Sequence, residues 1–450
     1  MKHLILLFFF CTTQIVGLCQ KTMTNETVTE TINRMGDLLE KNYVFPEKAK
    51  SMKAMLLENL GKGSYYNLTL ESFATTVYKD LQAISPDRHM RVDVFPENPQ
   101  INAGGRQDGR NSKPKKINPF KKIEFLQGNI AWVVLDNFPN PALCDEYVVS
   151  VMNSIASANA VIFDLRNNGG GSPLLVQLIL SYLLEEKKLY HTVYNRIKNT
   201  TTEYRTYKIN SGFESESGTG ADNKEGKIKG KVDITGLQNI PVYVLTAKRT
   251  FSAAEEFAYD IQSIKRGKIV GRATGGGAHQ MNGFGVYERI GMLIPYSRPI
   301  NPFTGTDWEG TGVKPDIEVN AVDALHTAHI DALKTLQQAA ASELDKLDYE
   351  WSIKLAAYYY KNPTPLTETE MLNIAGNYGK DTRIFIDGGD LVAEVDLGSL
   401  RRFKMQRLDE LVFKVDENTI VILSKDASGK IISAEAVTKS GTRDVRMKTK

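Results

Sequence analysis

Cysteine and histidine are scarce in this chain of 450 residues, which holds three of the first and six of the second. Cys11 and Cys19 fall within the first twenty residues, so beyond them Cys144 has no disulfide partner. A disulfide-stapled scaffold and a cysteine-based zinc module are thereby excluded. Charge of one sign is lacking as well. The 56 basic and 53 acidic side chains leave a formal +3, too weak a field to draw the chain to DNA, RNA or anionic lipid. Nucleic acid is not expected as a partner. Long apolar runs are also missing, and residues 4–10 are too few to span a bilayer. They follow Lys2 and His3 and give way to a less hydrophobic stretch ending near Gln20, the layout of a secretory signal peptide. The expectation is an exported chain, periplasmic or secreted, cut beside Gln20 and without a membrane span once mature. Cys19 invites a lipoprotein reading, but Leu18 before it is bulky where lipid attachment wants a small residue. No 20–50-residue repeat is present, which sets aside solenoids and propellers.

What is there is ordinary globular material, 42% hydrophobic and 24% charged, long enough for about three folded units. After the leader at 1–20, residues 21–92 read as a small helical module. Val28, Ile32, Met35 and Leu39 share one face, Phe73, Val77 and Leu81 another, and Pro46 suits the first position of a helix. Residues 93–121 are rich in Pro, Gly, Asn and Lys and read as a linker. From 122 to 330, near-continuous apolar strands at 130–136, 160–165, 241–247 and 269–271 alternate with helical stretches. That predicts an α/β layer with parallel pairing. A polar, turn-rich insertion interrupts it at 187–239. Residues 331–365 read as a helical connection, and 366–450 as a small antiparallel β domain of short strands between Gly or Asp turns.

Three segments carry the chemistry. Residues 164–171, DLRNNGGG, follow a buried strand and precede a helix, so their glycines and N–H groups could receive an anion or a developing oxyanion. Residues 249–256, RTFSAAEE, put Ser252 at a helix start. Ser252 with Glu255 also fits a plain capping box, and the surroundings are not GxSxG. Residues 308–316, WEGTGVKPD, set Glu309 between an aromatic and a glycine turn. Of the histidines, His326 and His329 share a helix face but lack a carboxylate or cysteine partner for a metal. His191 lies in the polar insertion and His279 after a glycine run, while His89 ends the turn DRHM at 87–90.

In order, YVFPEKA (43–49), DRHM (87–90), DLRNNGGG (164–171), FSAAEEFA (251–258), GRATGGGAH (271–279) and NPFTGTDWEGTGVKPDIEV (301–319) resemble the S41 serine peptidases. That family includes the C-terminal processing proteases, the tricorn core and the interphotoreceptor retinoid-binding modules. The resemblance covers about residues 25–330 and implies a ClpP/crotonase-like α/β superhelix. It assigns Ser252 as nucleophile. The processing proteases take a lysine 25 residues further on as base, where this chain has Gly277. The tricorn-like subgroup takes a histidine and a glutamate, matched by His89 and Glu309. Tricorn has a serine before its histidine, and Arg88 stands there instead. No PDZ-sized segment fits between 90 and 121.

A serine hydroxyl at neutral pH needs a positioned base, and an imidazole suits that pH. Ala253 and one of Gly169, Gly170 and Gly171 are the natural oxyanion donors. The expected activity is hydrolysis of polypeptides through a Ser252 acyl-enzyme, with no metal or cofactor. The alternative is a catalytically weak or inactive module that binds an apolar ligand, retinoid or fatty-acid-like, as the resemblance to the retinoid-binding relatives implies.

Overall fold

The apolar stripes of the N-terminal region become three helices, Asn25–Asn42, Pro46–Gly61 and Leu70–Ile84. Thr24 caps the first by accepting from the Thr27 amide at 3.2 Å, and Thr69 caps the third by accepting from Ser72 at the same distance. Pro46 opens the second, where a missing N–H costs nothing. The computed structural model describes residues 22–95, 115–207, 209, 236–361 and 363–449. The leader at 1–20, most of the linker at 93–121 and the middle of the polar insertion lie outside them.

Contacts divide the chain into two units. One comprises Met1–Asn111, Val193–Thr202 and His279–Pro299, the other Ser112–Thr192, Glu203–Ala278 and Ile300–Lys450. In the first, Arg91–Val94 pairs antiparallel with Ile290–Pro299, which also forms a hairpin with Gln280–Tyr287. Val92, Ile290, Met292 and Ile294 pack into the same core as Ile32, Met35, Leu39, Phe73 and Val77. The helical module therefore closes over strands drawn from far along the chain.

The second unit holds a six-stranded sheet. Its order is Ile317–Glu318, Lys268–Gly271, Val242–Thr246, Ala160–Asp164, Ile130–Leu135, Phe120–Leu126. Every neighbouring pair is parallel except the last. The central strands Ala160–Asp164 and Val242–Thr246 are buried throughout, which is why their sequences are apolar without alternation. Alternate residues still serve different faces. Val161 and Phe163 join the core of the helices Asp145–Ser154, Pro173–Leu183 and Ala253–Ser263. Ala160 and Ile162 join that of Ala324–Ala339 and Glu343–Tyr359.

Several strands depart from the sequence reading. Arg91–Val94 and Phe120–Leu126 reach into the presumed linker, Leu189–Asn195 and Thr200–Arg205 lie in the polar insertion, and no strand was expected at Gln280–Tyr287 or Ile290–Pro299. Pairing partners, rather than local apolar content, make them strands.

The C-terminal region forms two antiparallel meanders, of four strands from Gly376 to Lys404 and five from Gln406 to Met447. A bridge between Tyr378 and Lys448 joins the first strand region to the end of the last. Tyr378, Ile384, Leu391, Phe413, Leu423 and Ile431 fill the shared interior. Among the described residues, no helix is long and apolar enough to cross a membrane.

Candidate active site

Strands Ala160–Asp164 and Val242–Thr246 are parallel neighbours, so the loops leaving their carboxyl ends emerge side by side. Thr250 Oγ1 donates to the Leu165 carbonyl at 2.8 Å, and the Phe251 N–H donates to the Asn168 carbonyl at 3.1 Å. Asp164 and Arg166 are scaffold. Arg166 makes bonds of 2.8 and 2.6 Å to the two Asp164 oxygens and donates to the Ala321 carbonyl.

Ser252 sits at the end of the second loop with φ 55° and ψ −125°, a left-handed conformation rare for a residue with a side chain. Strain of this kind costs about 1–3 kcal/mol and persists only where surrounding bonds enforce it. Here the Ser252 N–H donates to Glu255 Oε2 at 2.9 Å. Ser252 is half-buried and directly precedes the helix Ala253–Ser263, where the Ala254 N–H donates to the Phe251 carbonyl at 3.1 Å and the Glu255 N–H to the Ser252 carbonyl at 2.8 Å. Gly170 is the reason the glycine run can lie against this turn. Its φ is +97°, and a Cβ there would meet Phe251 O at 2.6 Å, Ser252 Cβ at 2.7 Å and Ala253 N at 2.9 Å. The Gly170 N–H, however, already donates to Asn168 Oδ1 at 2.8 Å, which weakens it as an oxyanion donor. Gly169 is exposed, with open space where a Cβ would be.

Glu255 ties the remaining loops to the Ser252 turn. Fully buried, its carboxylate accepts from Ser252 N, from Gly276 N at 2.6 Å, from Gly277 N at 2.8 Å and from Thr274 Oγ1. Burial raises its pKa and the four donors only partly offset that. The 308–313 segment locks onto the same loop. Trp308 Nε1 donates to the Gly277 carbonyl at 3.0 Å, and Val313 N donates to Thr274 Oγ1 at 2.7 Å. Glu309 Oε2 accepts from Ala278 N at 2.6 Å. One unit thus brings together Ser252, Ala253, Gly169, Gly170 and Glu309. Glu255 was visible in the sequence only as a capping residue; its link to 274–277 was not.

His89 belongs to the other unit, where it is buried at 8% exposure. Its N–H donates to Asp87 Oδ1 at 3.1 Å, while Asp87 Oδ2 accepts from Tyr43 at 3.1 Å and pairs with His279 Nδ1 at 2.7 Å. Burial opposes charge on Asp87, but His279, the His89 amide and Tyr43 together hold it below the usual carboxylate range. Burial pushes His89 down to about 4, with His279 helping and Asp87 opposing. It is therefore a neutral imidazole at pH 7. His279 and Asp87 were not selected as site residues from sequence. The signal available was that each lies in a stretch that resembles the family, DRHM for Asp87 and GRATGGGAH for His279.

Two sequence profiles match the chain. "Peptidase family S41" covers residues 129–319, and "N-terminal domain of Peptidase_S41 in eukaryotic IRBP" covers residues 22–126. The chain belongs to peptidase family S41. Among curated relatives, it is 26% identical over 214 residues to the nisin-resistance protein of Lactococcus lactis subsp. lactis. That match takes in 47% of this chain and 62% of the relative. Two solved structures are similar. The photosystem II D1 C-terminal processing protease is 15% identical with a TM-score of 0.42, over 66% of this chain and 94% of that one. A lipoprotein from Streptococcus agalactiae is 13% identical with a TM-score of 0.45, over 69% and 96%.

The remaining candidates of this S41 chain fall elsewhere. Cys144 is fully buried, and burial pushes its thiol up to about 12, far from a reactive thiolate. His329 is a core histidine bonded to the Gln127 carbonyl at 2.9 Å and to the Tyr360 hydroxyl at 3.0 Å. His191, which suggested nothing in the sequence, is buried with Glu256 and Asp260 of the Ser252 helix.

Proposed function

We propose that this chain is an exported serine endopeptidase that cleaves polypeptides through an acyl-enzyme on Ser252. The observation that carries the reading is Ser252 itself, held at positive φ where a helix begins. A serine serving only as a cap would sit relaxed in the β region, as Thr24 and Thr69 do. In this reading Ser252 Oγ attacks the scissile carbonyl carbon while His89, neutral at pH 7, takes its proton. The N–H groups of Ala253 and Gly169 stabilise the oxyanion, each donor being worth about 3–4 kcal/mol. Collapse breaks the C–N bond, and the imidazolium gives its proton to the leaving amine. Water then hydrolyses the ester by the same route. Glu309 orients the base. Export rests on the leader at residues 1–20.

A His89→Ala variant tests the base, and it should lose turnover while remaining folded. The deciding experiment is casein hydrolysis by residues 21–450 beside Ser252→Ala. Turnover by the wild type alone supports the peptidase. No turnover by either overturns it in favour of the apolar-ligand module, which retinoid titration then tests.

A further inference from the structure

Away from the Ser252 turn, the same helix carries a second group of chemistry-bearing side chains. Glu256 and Asp260 stand one helical turn apart on Ala253–Ser263, so their carboxylates share a face. His191 reaches that face from the strand Leu189–Asn195, its Nδ1 3.0 Å from Asp260 Oδ1. All three are deeply buried, at 3% exposure for His191, 7% for Glu256 and 0% for Asp260. One ligand atom from each lies within 4.8 Å of the others. The surroundings are aromatic, with the His191 ring 6.1 Å from those of both Trp308 and Tyr204.

This group is short of partners. Asp260 Oδ2 is buried with no hydrogen bond, and among the described residues the Glu256 carboxylate makes none. Buried polar groups are almost always bonded, and an exception calls for an ion or a water. A divalent cation would bond both carboxylates and take the place of the proton held between His191 and Asp260. One nitrogen and two carboxylate oxygens is a donor set that zinc accepts, with a bound water as the fourth ligand.

We propose that His191, Glu256 and Asp260 form a binding site for a divalent transition-metal ion, Zn²⁺ being the probe, that braces the helix leading from Ser252. The ion takes no part in the serine chemistry, and the site stands whether or not the chain proves to be a peptidase.

Metal content and stability test it. The purified protein is stripped with chelator, reloaded with Zn²⁺, desalted and assayed by mass spectrometry and thermal melting. About one Zn²⁺ per chain should survive desalting, with Tm raised by about 5–10 °C. The Glu256→Gln and Asp260→Asn variants, close in shape to the wild type, should lose both effects. No retained zinc and no shift in the wild type overturns the site, as does equal retention in folded variants. If the variants fail to fold, anomalous diffraction at the zinc edge from wild-type crystals decides. A peak among the three side chains supports the site, and a peak elsewhere or none refutes it.

Discussion

Gly170→Ala tests whether the contact between the glycine run and the serine turn matters to catalysis. The added methyl would stand 2.6 Å from Phe251 O, 2.7 Å from Ser252 Cβ and 2.9 Å from Ala253 N, all closer than real Cβ atoms come. These neighbours belong to the Ser252 turn, so no flexible side chain can yield and the turn itself must shift. The φ of +97° adds strain of about 1–2 kcal/mol, and overpacking typically adds about 1–3 kcal/mol, giving a destabilisation of about 2–5 kcal/mol. Displacing Ser252 and the Ala253 N–H by a fraction of an ångström should lower kcat/KM by about 100-fold. Gly169→Ala is the control. Its Cβ would point into open space with no unfavourable φ, so Tm and folding should hardly change. The assay is casein hydrolysis alongside thermal melting. A Gly170→Ala protein with kcat/KM within twofold of wild type would refute the reasoning, as would equal loss of stability in both variants.

Three other predictions use different residues. Ser252→Ala and Ser252→Gly should both be inactive, yet Ser252→Gly should be the more stable by about 1 kcal/mol, because only glycine relieves the positive φ; denaturant melts showing the reverse order would remove the strain argument. If His89 is the base, its neutral form is the active one, so kcat/KM should fall only as pH drops through about 4. A limb at higher pH would mean that another group takes the proton. The same depressed pKa makes the unfolded chain bind more protons between pH 4 and 6.5, so His89 removes stability as pH falls through that window. Cys144, its thiol raised to about 12 by burial, should resist iodoacetamide at pH 8 in the native chain from residue 21, and Cys144→Ala should keep full turnover. Alkylation that inactivates would contradict this.

Local pattern determined a good deal by itself. The apolar runs around 162 and 244 could only be buried parallel strands, and the stripe Val28, Ile32, Met35, Leu39 only a helix face, because burial on two faces or one leaves different spacings. The place of Ser252 at a helix start, after a strand and a turn, was legible for the same local reason, whereas a role for it was implied only by the resemblance to the S41 peptidases. Tertiary structure alone decided the rest. Glu255 looks like a cap, and its bonds to Gly276 and Gly277 arise only when a loop some twenty residues on folds back. Strand Leu189–Asn195 hides in polar sequence because its partner, Ile290–Pro299, supplies the pairing from a distance. His191 gave no sign in the sequence, since nothing near it in the chain is acidic enough or close enough to show that Asp260 lies 3.0 Å away. Periodicity records which faces are buried, but which charges meet inside is set by contacts between segments that the chain itself keeps far apart.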